Sequence, residues 1–253
     1  MNDRPSRLTA LLELSRQLGS PLRPLAILAE GNTSAKLGPD SFLVKASGSV
    51  LANLSENDLV ECDAKGLLAL LERDKISDAE VNQAIMQCRL DPAAKKPSVE
   101  SLFHAWLLTL PGIEYVGHTH PCSATGILCS GRAGDFAARR LFPDEVVCCD
   151  VESVLVPYVD PGLPLAREIR RRTIVFQDKH QRPPRVILLE NHGVITLGGT
   201  PEAVIAAMLM VEKSATIWTA SASVGGPKFL SPKDVDRISG RADEALRRKA
   251  LRI

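Results

Sequence analysis

Apolar and polar residues follow two periods along this chain, dividing it into short strands and amphipathic helices. Leucines at 8, 11, 12, 14 and 18 share one helical face over 6–18, and Gly19 closes that helix. The polar turn Gly38-Pro39-Asp40 separates two runs, 33–37 and 42–46, which read as a β-hairpin. Ser55 to Asp58 has the acids of a helix start, 60–62 a strand, and 65–73 a helix; Ser77 opens another that reaches about Arg89. After Pro97 a helix begins near Ser98, and a turn at Pro111-Gly112 leads into a short apolar strand ending in His118-Thr119-His120. Helices are predicted over 123–130 and 135–141, strands within 146–156, and a short helix over 162–172. A second apolar island covers 186–197. Thr200-Pro201-Glu202 supplies the cap, proline and acid of a strong helix start, continued over 203–222 and stopped by Gly225-Gly226-Pro227. Ser231 caps a final charged helix. No repeat or low-complexity linker interrupts the pattern. Residues 1–253 therefore read as a single α/β domain whose successive hairpins favour a largely antiparallel sheet.

Composition narrows the function classes. A chain of 253 residues can bury a substantial core unaided. With 31 basic against 30 acidic residues, its charge of +1 gives no electrostatic case for nucleic acid or an anionic membrane. Arg170-Arg171-Arg172 and Arg247-Arg248-Lys249 lie in helical patterns and read as solvated faces. No secretory leader is expected at the start, and no apolar run is expected to span a bilayer. The six cysteines include no Cys-x-x-Cys pair, so free and mostly buried thiols in the cytoplasm are expected.

The chemistry gathers at strand ends. Alternate strand residues face the same way, so His118 and His120 can occupy two corners of one metal polyhedron, or stand as a hydrogen-bonded pair. His192, followed by Gly193 in the second island, is the third candidate ligand. Three neutral imidazoles with an open position suit zinc or another late first-row divalent ion. His104 and His180 read as packed or solvated. Glu100, in the first turn of the helix after Pro97, is either a carboxylate facing that metal or an acid placed by the helix dipole. The turns Gly31-Asn32 and Ser47-Gly48 flank the first hairpin and can expose backbone N–H groups to an anion.

Gly31-Asn32-Thr33-Ser34, Lys45-Ala46-Ser47-Gly48, Pro97-Ser98-Val99-Glu100, His118-Thr119-His120-Pro121 and Asn191-His192-Gly193 occur in that order. Together they resemble the class II aldolase/adducin family over about residues 8 to 225. The resemblance implies a three-layer α/β/α sandwich around a nine-stranded sheet, and a homotetramer with active sites between subunits. It implies a zinc ion on His118, His120 and His192, with Glu100 as the catalytic carboxylate. Asn32, Ser47, Gly48 and Ser98 match positions that hold substrate phosphate in the aldolases, and Lys45 is a further candidate for an anionic substrate. The implied activity is a metal-dependent lyase acting on a small hydroxy-carbonyl compound. A divalent ion stabilises the enediolate left when a C–C bond beside a ketone breaks.

Several positions depart from the family pattern. Glu30 precedes Gly31 where a small or hydroxyl residue is usual, Ala29 replaces a hydroxyl, and Val99 stands where a second serine would help; an acid beside a phosphate is repelled unless it points away. No tyrosine matches the family's acid: Cys148-Cys149 lies near its expected place, while Tyr115 and Tyr158 sit elsewhere. A decarboxylase, an epimerase or a dehydratase would use the same ion, and an adducin-like interaction module would use none. A Schiff base on Lys45 is disfavoured by the histidine trio. A cupin is excluded because the next acid after the histidine pair, Asp135, lies in a helical pattern.

Overall fold

The computed structural model describes residues 4–253. In chain order the elements are α1 (Arg4–Leu18), β1 (Asn32–Lys36), β2 (Ser41–Lys45), β3 (Leu59–Asp63), α2 (Ala64–Leu71), α3 (Asp78–Gln87), α4 (Ser101–Leu107), β4 (Tyr115–Thr119) and α5 (Cys122–Leu128). Then come α6 (Ala133–Ala138), α7 (Pro143–Cys149), β5 (Val154–Val156), α8 (Leu163–His180), β6 (Val186–Leu189), β7 (Gly193–Gly198), α9 (Pro201–Ser221), α10 (Pro232–Ser239) and α11 (Ala242–Ala250).

The strands form one sheet in the order β3-β2-β1-β4-β7-β6-β5. Its neighbours are antiparallel except β5 and β6, which run parallel. Parallel strands need a crossover, and α8 supplies it. Alternate side chains on each strand feed two cores. Val116, Ile195 and Leu197 pack on one face with Leu102, Phe103 and Ile169 from α4 and α8. Tyr115, Val194 and Leu188 pack on the other with Leu11 and Leu14 from α1 and Val204 and Met208 from α9. The sandwich of three layers follows from this two-sided burial.

Five expectations need correction. The sheet has seven strands, not nine, and it is mixed: the pair β5–β6 is parallel in an otherwise antiparallel ladder. Part of the reason is that 146–149, read as strand, is helix α7; Pro143 at its start and Asp144 and Glu145 in its first turn outweigh the β-branched valines. The helix after Gly162 runs on to His180, and the charged C-terminal helix is two, broken at Gly240. Pro201–Val224 is, against expectation, long and apolar enough to cross a membrane. Its Val204, Ala207, Met208, Val211, Ala215 and Trp218 nevertheless lie in the core. Of the six free thiols, Cys62, Cys88 and Cys149 are buried, Cys148 is partly buried, and Cys122 and Cys129 are exposed.

Candidate active site

The site forms where β1, β4 and β7 meet the start of α4. In β4, Val116 and His118 face α4, and the Phe103 ring sets its edge against His118 at 5.8 Å. His120 follows two residues later on the same side. His192 is carried by the turn between β6 and β7, where Asn191 adopts φ 55°, a left-handed conformation that asparagine tolerates better than most residues. The three imidazole centroids lie 4.9, 5.0 and 4.9 Å apart. One nitrogen from each ring falls within 4.8 Å of the others.

Gly193 makes this approach possible. A Cβ there would lie 2.6 Å from His120 Cδ2 and 2.6 Å from the Thr119 carbonyl. Gly31 does the same on the opposite side: its φ is +73°, and a Cβ would meet the His118 carbonyl at 2.6 Å.

Glu100 precedes α4 and turns its carboxylate onto the histidines. Its Oε1 is 3.5 Å from both His118 Nε2 and His192 Nε2. Asn32, which pairs with His118 across the β1–β4 ladder, donates from Nδ2 to the other oxygen of Glu100 and to Ser98 Oγ. The buried Asn32 Oδ1 has no partner. The bridge between Ala46 and Pro97 ties the end of β2 to the Ser98–Glu100 turn.

The electrostatics divide the acids and bases. Burial opposes ionisation of Glu100, but the charges of His118, then His192 and His104, outweigh it and bring the carboxyl down to about 2. Burial likewise opposes a charge on His118, yet Glu100 and the Val194 carbonyl raise its pKa above 6.5. Burial takes His192 down to about 4 and also lowers His120, with the His118 charge adding to both. His118 Nδ1 donates to Val194 O at 3.0 Å, which turns Nε2 into the cluster, 3.1 Å from His120 Nε2. A nitrogen so oriented, two further imidazoles and an adjacent carboxylate fit a divalent first-row ion, with His118, His120 and His192 able to hold it.

The remaining sequence candidates are placed differently. Lys45 is only 2% exposed, and its Nζ donates to the Ala29 and Ser49 carbonyls at 3.1 and 2.6 Å. It thus ties together the two turns that frame the site. Ser98 is buried beside Asn32, whereas Ser47 and Gly48 lie exposed. Gly48 has φ +78°. Two further residues border the cluster, His104, which is packed in line with its sequence pattern, and Glu30. His104 is buried, bonds Ser34 Oγ through Nδ1 at 2.7 Å and is lowered by burial to about 3; its Nε2 has no partner. Glu30 Oε1 lies 3.8 Å from His120 Nδ1 while its other oxygen accepts from Ile27 N. An acid at position 30 is the only sequence signal for that contact. A cavity of about 380 Å³ opens beside His120 and His192, lined also by Ile27, Glu30, Cys122 and Cys129 and by no tyrosine. Tyr158 is exposed and donates to Asp160. Cys148 and Cys149 lie on α7.

The fold and this cluster define a class: the chain belongs to the class II aldolase and adducin N-terminal domain family, whose model matches residues 9–219. It is 30% identical over 206 residues to an uncharacterized oxidoreductase, YuxG, of Bacillus subtilis strain 168. That match takes in 78% of this chain but spans only 27% of the relative. A 3-oxo-tetronate 4-phosphate decarboxylase of Haemophilus influenzae is 27% identical over 190 residues, 74% of this chain and 76% of that protein. Among solved structures, an L-fuculose 1-phosphate aldolase superposes with a TM-score of 0.70 at 17% identity, covering 92% of this chain and 94% of that one.

Proposed function

We propose that this chain is a divalent-metal-dependent lyase, an aldolase acting on a small hydroxy-carbonyl compound or sugar. The observation that carries the reading is the convergence of His118, His120 and His192 with Glu100 Oε1 at 3.5 Å from two of them. When bound there, zinc or a related ion supplies Lewis-acid stabilisation of the charge that develops on a substrate carbonyl oxygen. His118 is held for this by its Nδ1 bond to Val194. Glu100 is ionised at neutral pH and can accept a proton at Oε1 and return it, as general acid–base catalysis requires. Asn32 fixes the other oxygen of Glu100, so the basic oxygen stays aimed at the histidines. Ser98 supports that amide. In this reading Ser47 and Gly48, an exposed hydroxyl and a left-handed turn, take the far end of the substrate. Lys45 holds the two turns in place.

Metal content of the purified protein, measured with deuterium exchange into hydroxy-ketones beside the carbonyl, tests this reading. About one ion per chain with exchange supports it, and His118→Ala should lose the ion while staying folded. Full metal retention in that variant would remove His118 from the site. A second reading, a decarboxylase with the same residues, is supported by the Haemophilus influenzae relative; release of carbon dioxide from a 3-oxo acid distinguishes it. A homotetramer is part of the proposal, and sedimentation tests it.

A further inference from the structure

A second cavity, of about 390 Å³, lies at the opposite end of the sheet from the histidines. Tyr115 and Gly198 pair at that end of β4 and β7, whereas Thr119 and Val194 pair at the histidine end. At about 3.3 Å per residue the ends of β4 are roughly 13 Å apart. The cavity has an apolar wall, which includes Ile113, Val147 and Leu197, and a cationic one.

The cationic wall is unbalanced. Its side chains include Arg182, Arg185 and Arg248 against one side-chain carboxylate, that of Asp150. Arg182 takes that carboxylate for itself, with Nη2 and Nε at 2.6 and 2.9 Å from its two oxygens. Among the described residues neither Arg185 nor Arg248 is in an ion pair. Arg185 donates from Nη1 to the Val147 carbonyl at 2.8 Å, and Arg248 from Nη2 to the Ser239 carbonyl at 3.2 Å. None of their nitrogens is a sealed donor lacking a partner, so the unused donors open onto the cavity or solvent. Burial lowers the pKa of Arg185; Asp150 opposes this and the charge of Arg248 adds to it. Two guanidinium groups thus line one half-enclosed space, and Asp150, the acid beside them, is paired with Arg182 and not with either. Leaving such charges uncompensated is costly, and guanidinium forks bind planar or tetrahedral oxyanions well.

We propose that this cavity binds a small oxyanion-bearing metabolite, its phosphoryl or carboxylate group on Arg185 and Arg248 and its apolar body against Ile113, Val147 and Leu197. The volume is in the range of small-ligand sites. The cavity shares β7 with the histidine site but none of its candidate residues, so it would act as a separate site and not as a substrate pocket.

Calorimetric titration of the full chain with inorganic phosphate and, separately, malonate tests the proposal. Saturable binding of either anion is expected, and the preferred one identifies the group recognised. Arg185→Gln and Arg248→Gln should each weaken it about tenfold or more, the usual scale for a charge-assisted hydrogen bond. Arg248 lies on the outer helix α11 with a single hydrogen bond to Ser239, so its variant is expected to fold even where the Arg185 variant does not. His118→Ala should leave the affinity unchanged. Absence of saturable binding by both anions, an unchanged affinity in Arg248→Gln, or loss of binding in His118→Ala would each overturn the assignment.

Discussion

Asn32 and His118 stand opposite one another across the β1–β4 ladder, and the amide of Asn32 reaches past that pairing to hold the Glu100 carboxylate. The sheet register thereby sets the angle between the proposed base and the proposed metal. Glu100 comes from a different segment, yet its oxygens are split between Asn32 on one side and the two histidines on the other. Replacing Asn32 with Ala should leave bound metal nearly unchanged and lower kcat/KM by about 10–100-fold, the usual scale for outer-shell partners. Metal analysis beside steady-state kinetics checks this. Loss of both metal and activity would mean that Asn32 supports the histidines directly.

Glu100→Gln removes the proton-accepting oxygen while keeping the side chain's shape. Exchange of the proton beside the substrate carbonyl should fall by about 10²–10⁴-fold, with metal still bound. Exchange followed by NMR in deuterated buffer reads the effect. An unchanged rate would take Glu100 out of the proposed mechanism.

Gly193→Ala tests whether the close approach of the rings is required. The added methyl would meet His120 Cδ2 and the Thr119 carbonyl at 2.6 Å, and backbone cannot yield as a flexible side chain does. Overpacking of this kind typically costs about 1–3 kcal/mol, so the denaturation midpoint should fall. Metal affinity should fall with it because His120 is displaced. A folded variant with wild-type affinity would show that the turn relaxes without disturbing the cluster.

The elements that build the cluster were legible to unequal degrees. His118 and His120 share a face because strand side chains alternate, and the two-residue spacing carries that information. His192 follows the apolar run 186–189 and precedes the glycine that its neighbours require. The reach of Asn32 to Glu100 and of Glu30 to His120 depends on register and turn geometry, which no local spacing encodes. Lys45 illustrates the same limit: a lone lysine before Ala46-Ser47-Gly48 suggests an anion ligand, but its ammonium is engaged by two carbonyls. Helix α7 was misread because Val146 and Val147 favour strand, whereas the proline and acids before them set a helix start. Arg185 and Arg248 approach one cavity from distant parts of the chain, a meeting that only tertiary packing creates.

Metal affinity should depend on pH through His118 before the other two ligands. In the metal-free protein burial opposes a charge on His118, but the Glu100 charge, its hydrogen bond and the Val194 carbonyl together raise the His118 pKa above 6.5. That pair stabilises the metal-free fold fully below the unfolded value of about 6.5 and ceases to do so as pH rises through the folded value. Metal binding has the opposite sign, because a ligand imidazole must be neutral. Apparent affinity should therefore be greatest above the raised His118 value and fall about tenfold per pH unit below it. His192, brought down to about 4, takes up a proton only in far more acidic solution. In Glu100→Gln the charge that raises His118 is absent, so the onset of metal loss should move to lower pH. Competition with a chelator across pH 5–9 reads both curves. Identical onsets in the two proteins would show that Glu100 does not set the basicity of His118.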